Sequence, residues 1–114
     1  MSNFEKIKES YIFRRAYKKG DSFVSPYVVI YILPNRRNKI RLGITAGKKI
    51  GNAVKRNRAK RVITAAFRQC LPQIPAGYDF VIVARTRVLK TKSTIVAESI
   101  SKLLAAAGLK TDYE

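Results

Sequence analysis

Apolar residues at helical spacing predict a helix near each end of the chain. The first helix spans about 10–19, with Ser10 as its cap, Gly20 as its stop and an apolar face made of Phe13, Ala16 and Tyr17. The last helix spans about 93–107 and ends at Gly108, with an apolar face made of Val96, Ile100, Leu103, Leu104 and Ala107. Residues 1–8 and 109–114 are expected to be flexible.

Between these helices, two segments rich in β-branched and aromatic residues predict strands. Ser22–Leu33 is the first, although Pro26 limits how early it can pair as a central strand. Its alternation assigns four residues to one face, namely Tyr27, Val29, Tyr31 and Leu33. Lys39–Thr45 is the second strand. Because Pro34 and Asn35 open a turn between the two, the pattern favours an antiparallel hairpin.

A middle helix, which begins after Asn52, and a third strand follow the first two strands. Asn52 is a good N-cap, and the apolar arc of this helix gathers Ala59, Val62, Ile63, Ala66, Phe67 and Cys70. Two prolines in 71–77 end the helix. Tyr78–Arg85 is apolar on both faces, which is typical of a central, parallel strand. The strand–helix–strand order predicts a βαβ crossover, and such units are nearly always right-handed.

The charge of the chain indicates that this small domain binds a partner. The 114 residues are enough for one domain, and 24 Lys or Arg against 7 Asp or Glu give a net charge of +17. Ser22 to Tyr78 contains 12 cationic residues and no acid. A concentrated positive field of this kind indicates a polyanionic partner, and nucleic acid is the simplest one.

Several other classes of protein are excluded. One cysteine and no histidine leave no internal disulfide and no zinc site of the Cys and His type. No apolar run is long enough to span a bilayer or to form a signal peptide, so we expect a cytoplasmic protein. The missing histidine and the scattered acids make an autonomous nuclease site hard to assemble.

The basic stretch 46–68 divides into two halves. Seven Lys or Arg residues fall in 48–61, around the predicted start of the middle helix. The apolar arc lies further along the same helix. The first turns should therefore overhang the core. Cations near a helix N-terminus oppose the macrodipole, so folding alone does not favour them, but together with the exposed N–H groups they form a phosphate site. The second half is ordinary core.

The residues 47–61, GKKIGNAVKRNRAKR, resemble the signature of the bacterial ribonuclease P protein family. Phe13–Gly20 and the strand entry Ser25-Pro26-Tyr27 agree with the same family in order and spacing. The resemblance implies an α+β, single-domain sandwich over 1–114 of the ribosomal-protein-S5-domain-2-like type, ordered α-β-β-(β)-α-β-α. It also implies a four-stranded sheet and a crossover that is left-handed.

The resemblance further implies a function in which the protein holds RNA and does no chemistry. The partner, ribonuclease P RNA, would bind Mg²⁺ and remove the 5′ leader of precursor tRNA, while the protein, as one copy per RNA, would bind no cofactor tightly. The residues implied to lie on the catalytic RNA are Lys48, Lys49, Asn52, Lys55, Arg56, Asn57, Arg58, Lys60 and Arg61. Those implied to line the leader cleft are Phe13, Tyr17, Tyr27 and Tyr31, although simple core packing is the alternative for Phe13 and Tyr17.

Two other functions stay open from the sequence. A basic ribosomal-type RNA-binding protein would explain the charge and the sheet, but it would not need the signature or the aromatic residues of the first helix. A metal-dependent nuclease acting alone would need carboxylates close together, and Asp21 with Asp79 is the pair to examine.

Overall fold

The computed structural model describes residues 3–109. Three helices and five strands follow one another along this part of the chain: β1 Glu5–Lys6, α1 Ser10–Lys19, β2 Asp21–Val24, β3 Val28–Pro34, β4 Ile40–Thr45, α2 Ala53–Cys70, β5 Tyr78–Ala84 and α3 Ser93–Ala106. Short 3₁₀ turns occupy Lys48–Ile50, Leu71–Gln73 and Thr86–Lys90. No helix among the described residues is long and apolar enough to cross a membrane.

The five strands form one mixed sheet in the order β1-β4-β5-β3-β2. Strand β5 pairs parallel with β4 and antiparallel with β3, so the predicted βαβ unit and the central position of Tyr78–Ala84 are confirmed. The handedness of the crossover stays a prediction. The predicted hairpin between Ser22–Leu33 and Lys39–Thr45 is wrong, because β5 lies between β3 and β4.

The two faces of the sheet carry different cores. Helices α2 and α3 cover one face with the main core, to which β5 contributes Phe80 and Ile82 and α2 contributes Ile63 and Phe67. Helix α1 covers part of the other face, where Ile7, Ile12 and Ala16 pack around Val81 in a smaller cluster. Because β5 sends alternate side chains to both clusters, it connects the two cores.

The segment predicted as one long strand is divided in two at Ser25. The Ser25 hydroxyl oxygen accepts hydrogen bonds from the backbone N–H groups of Tyr27 (3.2 Å) and Val28 (3.1 Å). This local turn reverses the chain, so that β2 and β3 pair antiparallel with Val24 opposite Val29. The division into β2 and β3 gives the four strands that the resemblance implied, and the short β1 is a fifth.

The start of α1 differs in detail from the sequence prediction, whereas its end at Gly20 agrees with it. Glu9 occupies the cap position, and Ser10 instead accepts a 3.3 Å hydrogen bond from the guanidinium of Arg14. At the other end Gly20 is required by a close approach, since a Cβ there would lie 2.6 Å from the carbonyl oxygen of Ala16. The predicted extent of the helix, 10–19, is confirmed.

The chain before α1 is anchored to the sheet. Within the segment predicted as flexible, Glu5 and Lys6 pair parallel with Arg41 and Leu42 of β4. Phe4 meets the Phe67 ring edge-on at 5.5 Å between ring centres. Of the other terminal residues predicted as flexible, 1–2 and 110–114 lie outside the described part of the chain.

Candidate nucleic-acid interface

The first half of α2 stands clear of the core. Asn52 caps it as predicted, and its side-chain oxygen accepts a 3.0 Å hydrogen bond from the N–H of Lys55. No residue of α2 before Ala59 is buried, and Val54 is 70% exposed. The predicted overhang of the basic half is confirmed, because the buried positions Ala59, Ile63 and Phe67 all lie beyond it.

The nine residues predicted to contact the catalytic RNA lie together in the Lys48–Ile50 turn, the Asn52 cap and the first half of α2. Eight of them are exposed. Arg56 is half-buried, and its guanidinium donates a 3.0 Å hydrogen bond to the Gly51 carbonyl. Arg56 therefore holds the turn that precedes the helix, in addition to carrying charge.

This basic surface has no acidic partners. Within 3–109 the ion pairs are Lys39 with Glu5 and Arg41 with Asp79, and neither involves the seven cations of 48–61. Gly51 adopts a positive φ of 134°, which only glycine adopts readily, and it brings the chain round to the Asn52 cap. The uncompensated cations and free N–H groups of the first turn favour an anion here.

On the opposite face of the sheet, three of the predicted cleft residues form an aromatic group. The Tyr17 and Tyr31 rings meet edge-on at 5.0 Å between centres, and Phe13 lies 6.5 Å from Tyr17. The Tyr17 hydroxyl shares a 2.8 Å hydrogen bond with the hydroxyl of Thr45. Phe13 rests on Gly43, where an added Cβ would lie 2.6 Å from its ring. The aromatic group is thus held by β4 as well as by α1.

The aromatic group borders a partly open strip of the sheet. The strand register places Thr45 beside Val83, Val83 beside Val29, and Val29 beside Val24, on the same face as Tyr31. The first three are half-buried, and Val24 is 60% exposed. The four residues Thr45, Val83, Val29 and Val24 are called the open strip below. Sequence reasoning missed Thr45 and Val83, because only the pairing of β4, β5 and β3 brings them beside Tyr31.

Tyr27 does not join this group. It packs against the core on the α2 and α3 side, and with Arg87, Lys90 and Thr91 it lines a separate pocket of about 270 Å³. The expectation that Tyr27 shares a face with Tyr31 is wrong, because the turn at Ser25 interrupts the alternation before β3 begins.

Asp79 stabilises the fold, and within residues 3–109 its hydrogen bonds go to Arg41 and Asn35 and not to another carboxyl group. It is fully buried, and Arg41 grips both of its oxygens, at 2.6 Å from Nε and 2.7 Å from Nη2, while the Asn35 amide donates at 2.9 Å. Hydrogen bonding to Asp79 raises the pKa of the Arg41 guanidinium, although burial opposes the shift. Asp21 is exposed and pairs with Ile32, whose side chain points to the opposite face from Asp79. The structure therefore separates the only carboxylate pair that the sequence suggested.

Known proteins resemble this chain in sequence and in fold. A sequence model of the Ribonuclease P family matches residues 1–108. The ribonuclease P protein component of Clostridium beijerinckii is 40% identical over 96% of this chain and 93% of its own length. The solved RNase P protein of Staphylococcus aureus superposes with a TM-score of 0.81 at 33% identity, covering 96% of this chain and 100% of that one. The solved RNase P protein of Thermotoga maritima superposes with a TM-score of 0.78 at 29% identity, covering 90% of this chain and 96% of that one.

Proposed function

Since the chain belongs to the ribonuclease P protein family, we propose that it is the protein component of that enzyme and acts in the 5′ maturation of tRNA. It works as a subunit together with ribonuclease P RNA. In this proposal the RNA hydrolyses the phosphodiester bond with its own Mg²⁺, and the protein binds both the RNA and the 5′ leader of precursor tRNA. One cytoplasmic monomer serves one RNA.

The basic half of α2 is the docking element for the catalytic RNA in this proposal. Seven cations without acidic partners, carried on turns that overhang the core, support it. Binding a phosphate backbone releases counterions, so the affinity of such a surface depends strongly on salt. In the free protein, the repulsion between these cations and the helix dipole is destabilising. A bound phosphate backbone reduces that repulsion.

The aromatic group and the open strip receive the leader. Phe13, Tyr17 and Tyr31 present partly exposed rings, and aromatic faces stack on unpaired bases with little sequence preference at about 1–3 kcal/mol per base. Leaders differ in sequence from one precursor to another, so a stacking surface suits them better than hydrogen-bond readout. Tyr27, which the resemblance assigns to the same cleft, borders the separate pocket at Arg87 and Lys90 instead.

Binding at these surfaces accelerates the reaction by position and charge. Neutralising phosphates of both the catalytic RNA and the leader lowers the repulsion between the two. Substrate binding therefore becomes tighter, and binding of the Mg²⁺ ions that the RNA requires is favoured. The protein supplies no general base in this mechanism. The observation that supports the proposal is that the exposed basic half of α2 and the aromatic group lie on opposite faces of one sheet.

Reconstitution tests the proposal directly. Cleavage of precursor tRNA at physiological Mg²⁺ is measured with the protein alone, with ribonuclease P RNA alone and with both together, and only the mixture should cleave efficiently. Efficient cleavage by the protein alone would show an active site in the protein. If the protein binds the RNA without improving cleavage, the result would favour the alternative of a ribosomal-type RNA-binding protein.

The leader cleft is tested by leader length. With wild-type holoenzyme, affinity for precursor tRNA should rise as the leader lengthens, and Phe13→Ala with Tyr31→Ala should remove that dependence. Tyr11→Ala is the matched control, since Tyr11 is on α1 and 57% exposed but lies outside the aromatic group. A length dependence that survives the double substitution would place the leader elsewhere.

A further inference from the structure

An open groove of about 540 Å³ runs between α2 and the edge of the sheet, and it shares Asn57, Lys60 and Arg61 with the basic surface described above. We call it the edge groove. The residues that line it are Lys6, Asn57, Lys60, Arg61, Thr64, Ala65 and Arg68. A smaller hollow of about 200 Å³ adjoins it along the edge of β4 and shares Lys6, Lys60 and Thr64 with it.

One wall of the edge groove is a stripe along α2. Asn57, Lys60, Arg61, Thr64 and Arg68 follow the i, i+3, i+4, i+7, i+11 spacing that keeps side chains on one face of a helix. From the first to the last of these positions the stripe extends about 16 Å, at 1.5 Å per residue. The polar surface of α2 therefore continues past the basic half and along the half that packs on the core.

The other wall is strand β1. Lys6 pairs with Leu42, whose side chain belongs to the core beneath α2, and strand register puts the Lys6 side chain on that same face. Lys6 thus faces the α2 stripe across the groove. The pairing of β1 with β4, which the sequence did not suggest, brings a cation from residue 6 beside cations at 60 and 68.

Arg68 is held in place before any partner binds. Its guanidinium carbon lies 4.8 Å from the centre of the Phe4 ring, and Phe4 in turn packs edge-on against the buried Phe67. A stacked guanidinium keeps its N–H edge free for two parallel hydrogen bonds to phosphate oxygens, and the stacking lowers the entropy lost on binding.

The charge of the groove indicates its ligand. Four cations line it, Lys6, Lys60, Arg61 and Arg68, together with no acid, and none of the four is in an ion pair within 3–109. A shape that is long, open and uniformly positive fits a phosphate backbone better than a compact anion. None of the residues that line the groove is aromatic, so the groove itself presents no aromatic ring for bases to stack on.

We propose that the edge groove binds a sugar–phosphate strand of ribonuclease P RNA, so that the RNA contact of α2 extends over the whole helix to Arg68 and across to Lys6. The inference rests on the proposed function. It selects the catalytic RNA over the leader because the groove is continuous with Asn57, Lys60 and Arg61 and lies on the opposite face of the sheet from the aromatic group.

The double variant Lys6→Ala/Arg68→Ala tests the groove. Affinity of the full chain for ribonuclease P RNA is measured by titration over a range of salt concentrations. Removing two phosphate contacts should weaken binding roughly tenfold near 0.15 M salt and lower the slope of log K against log salt by about 1.5–2. Lys92→Ala/Lys102→Ala removes two exposed cations elsewhere and should leave the RNA affinity within about twofold and the slope almost unchanged.

Milder single variants keep the test decisive if the double variant is too unstable to measure. Arg68→Lys retains the charge and loses the flat stack on Phe4, so it should keep the salt slope and bind about threefold more weakly. Lys6→Gln retains most of the stem and should lower the slope by about 1. Lys6→Gln binding with the wild-type slope would remove Lys6 from the interface and overturn the two-walled groove.

The remaining outcomes distinguish failure of this inference from failure of the proposed function on which it rests. If the double variant binds ribonuclease P RNA like the wild type while Arg58→Ala binds weakly, the edge groove is not a contact and the proposed function stands. If Arg58→Ala also binds normally, α2 is not the docking element and the proposed function loses its RNA contact. If the double variant loses only leader-dependent affinity for precursor tRNA, the groove holds substrate and the inference is wrong.

Discussion

Gly43 controls where the Phe13 ring lies, which makes Gly43→Ala a test of the leader cleft that removes no aromatic residue. An added methyl would stand 2.6 Å from Cζ and 2.8 Å from Cε1 of Phe13, whereas ordinary contact begins at about 3.4 Å. The ring must therefore retreat from β4 by about 0.8 Å. The perturbation acts at the aromatic group and at Ile7, whose Cβ would lie 3.3 Å from the added methyl, and no α2 atom is among these contacts.

The expected magnitudes differ for folding and for binding. Overpacking costs about 1–3 kcal/mol, but replacing glycine within a strand returns about 0.5–1 kcal/mol of backbone entropy, so the free protein should lose at most about 2.5 kcal/mol. If the displaced ring loses about 1 kcal/mol of the 1–3 kcal/mol expected per stacked base, leader-dependent affinity falls about fivefold.

A double-mutant cycle with Phe13→Ala isolates the effect. Affinities of the holoenzyme are measured for precursor tRNA and for the same tRNA without its leader, in wild type, in each single variant and in the double variant. Gly43→Ala should weaken binding only of the precursor, and it should have no further effect once Phe13 is alanine. Affinity for ribonuclease P RNA should be unchanged in all four proteins.

Two results would refute the reasoning. A folded Gly43→Ala protein with normal leader-dependent affinity would show that the position of the Phe13 ring does not matter. An equal loss for precursor and leaderless tRNA would show that the substitution acts through the general structure. Gly47→Ala gives the stability baseline, because nothing lies within 4 Å of a Cβ added at Gly47.

Three further predictions concern folding and hydrogen bonding. Asp79→Ala should destabilise the free protein by about 3–5 kcal/mol in urea unfolding, because Arg41 would lose its buried partner, and a loss below about 1 kcal/mol would contradict this. Asn52→Ala should cost about 1 kcal/mol in the same assay through the lost cap of α2, with unchanged stability as the contrary result. Tyr17→Phe keeps the stacking face and loses only the bond to Thr45, so leader-dependent affinity should stay within about twofold, while Tyr17→Ala should reduce it.

The helices were predictable because their signals are local. The extent of α1, the Asn52 cap and the buried arc of α2 all follow from residues within a few turns of one another. The overhang of the basic half followed from the same pattern, since the apolar arc starts only at Ala59. For these elements the 3.6-residue spacing and the capping residue contain enough information.

The sheet order and the neighbours of each site residue depend on pairing between distant parts of the chain. Consecutive strands are usually neighbours, and that rule favoured a β3–β4 hairpin, yet β5 inserts between them and buries Phe80 and Ile82 in the main core. The Ser25 turn shifted Tyr27 out of the predicted face by a local hydrogen-bond pattern that a simple alternation ignores. Lys6 entered a groove with Arg68 through the same kind of distant pairing.

Strand β5 also determines how the two proposed RNA surfaces are related. Phe80 and Ile82 face α2, while Val81 and Val83 face α1 and the open strip, so a slip of one residue in β5 would exchange the two faces. Asp79 is bound by Arg41 from the neighbouring strand, and each residue is the other's direct partner in the β4–β5 register. A buried ion pair adds little net stability compared with apolar packing, but a slipped register would leave its carboxylate unpaired. We infer that this pair fixes the register, and through it the separation between the surface proposed to dock the RNA and the surface proposed to hold the leader.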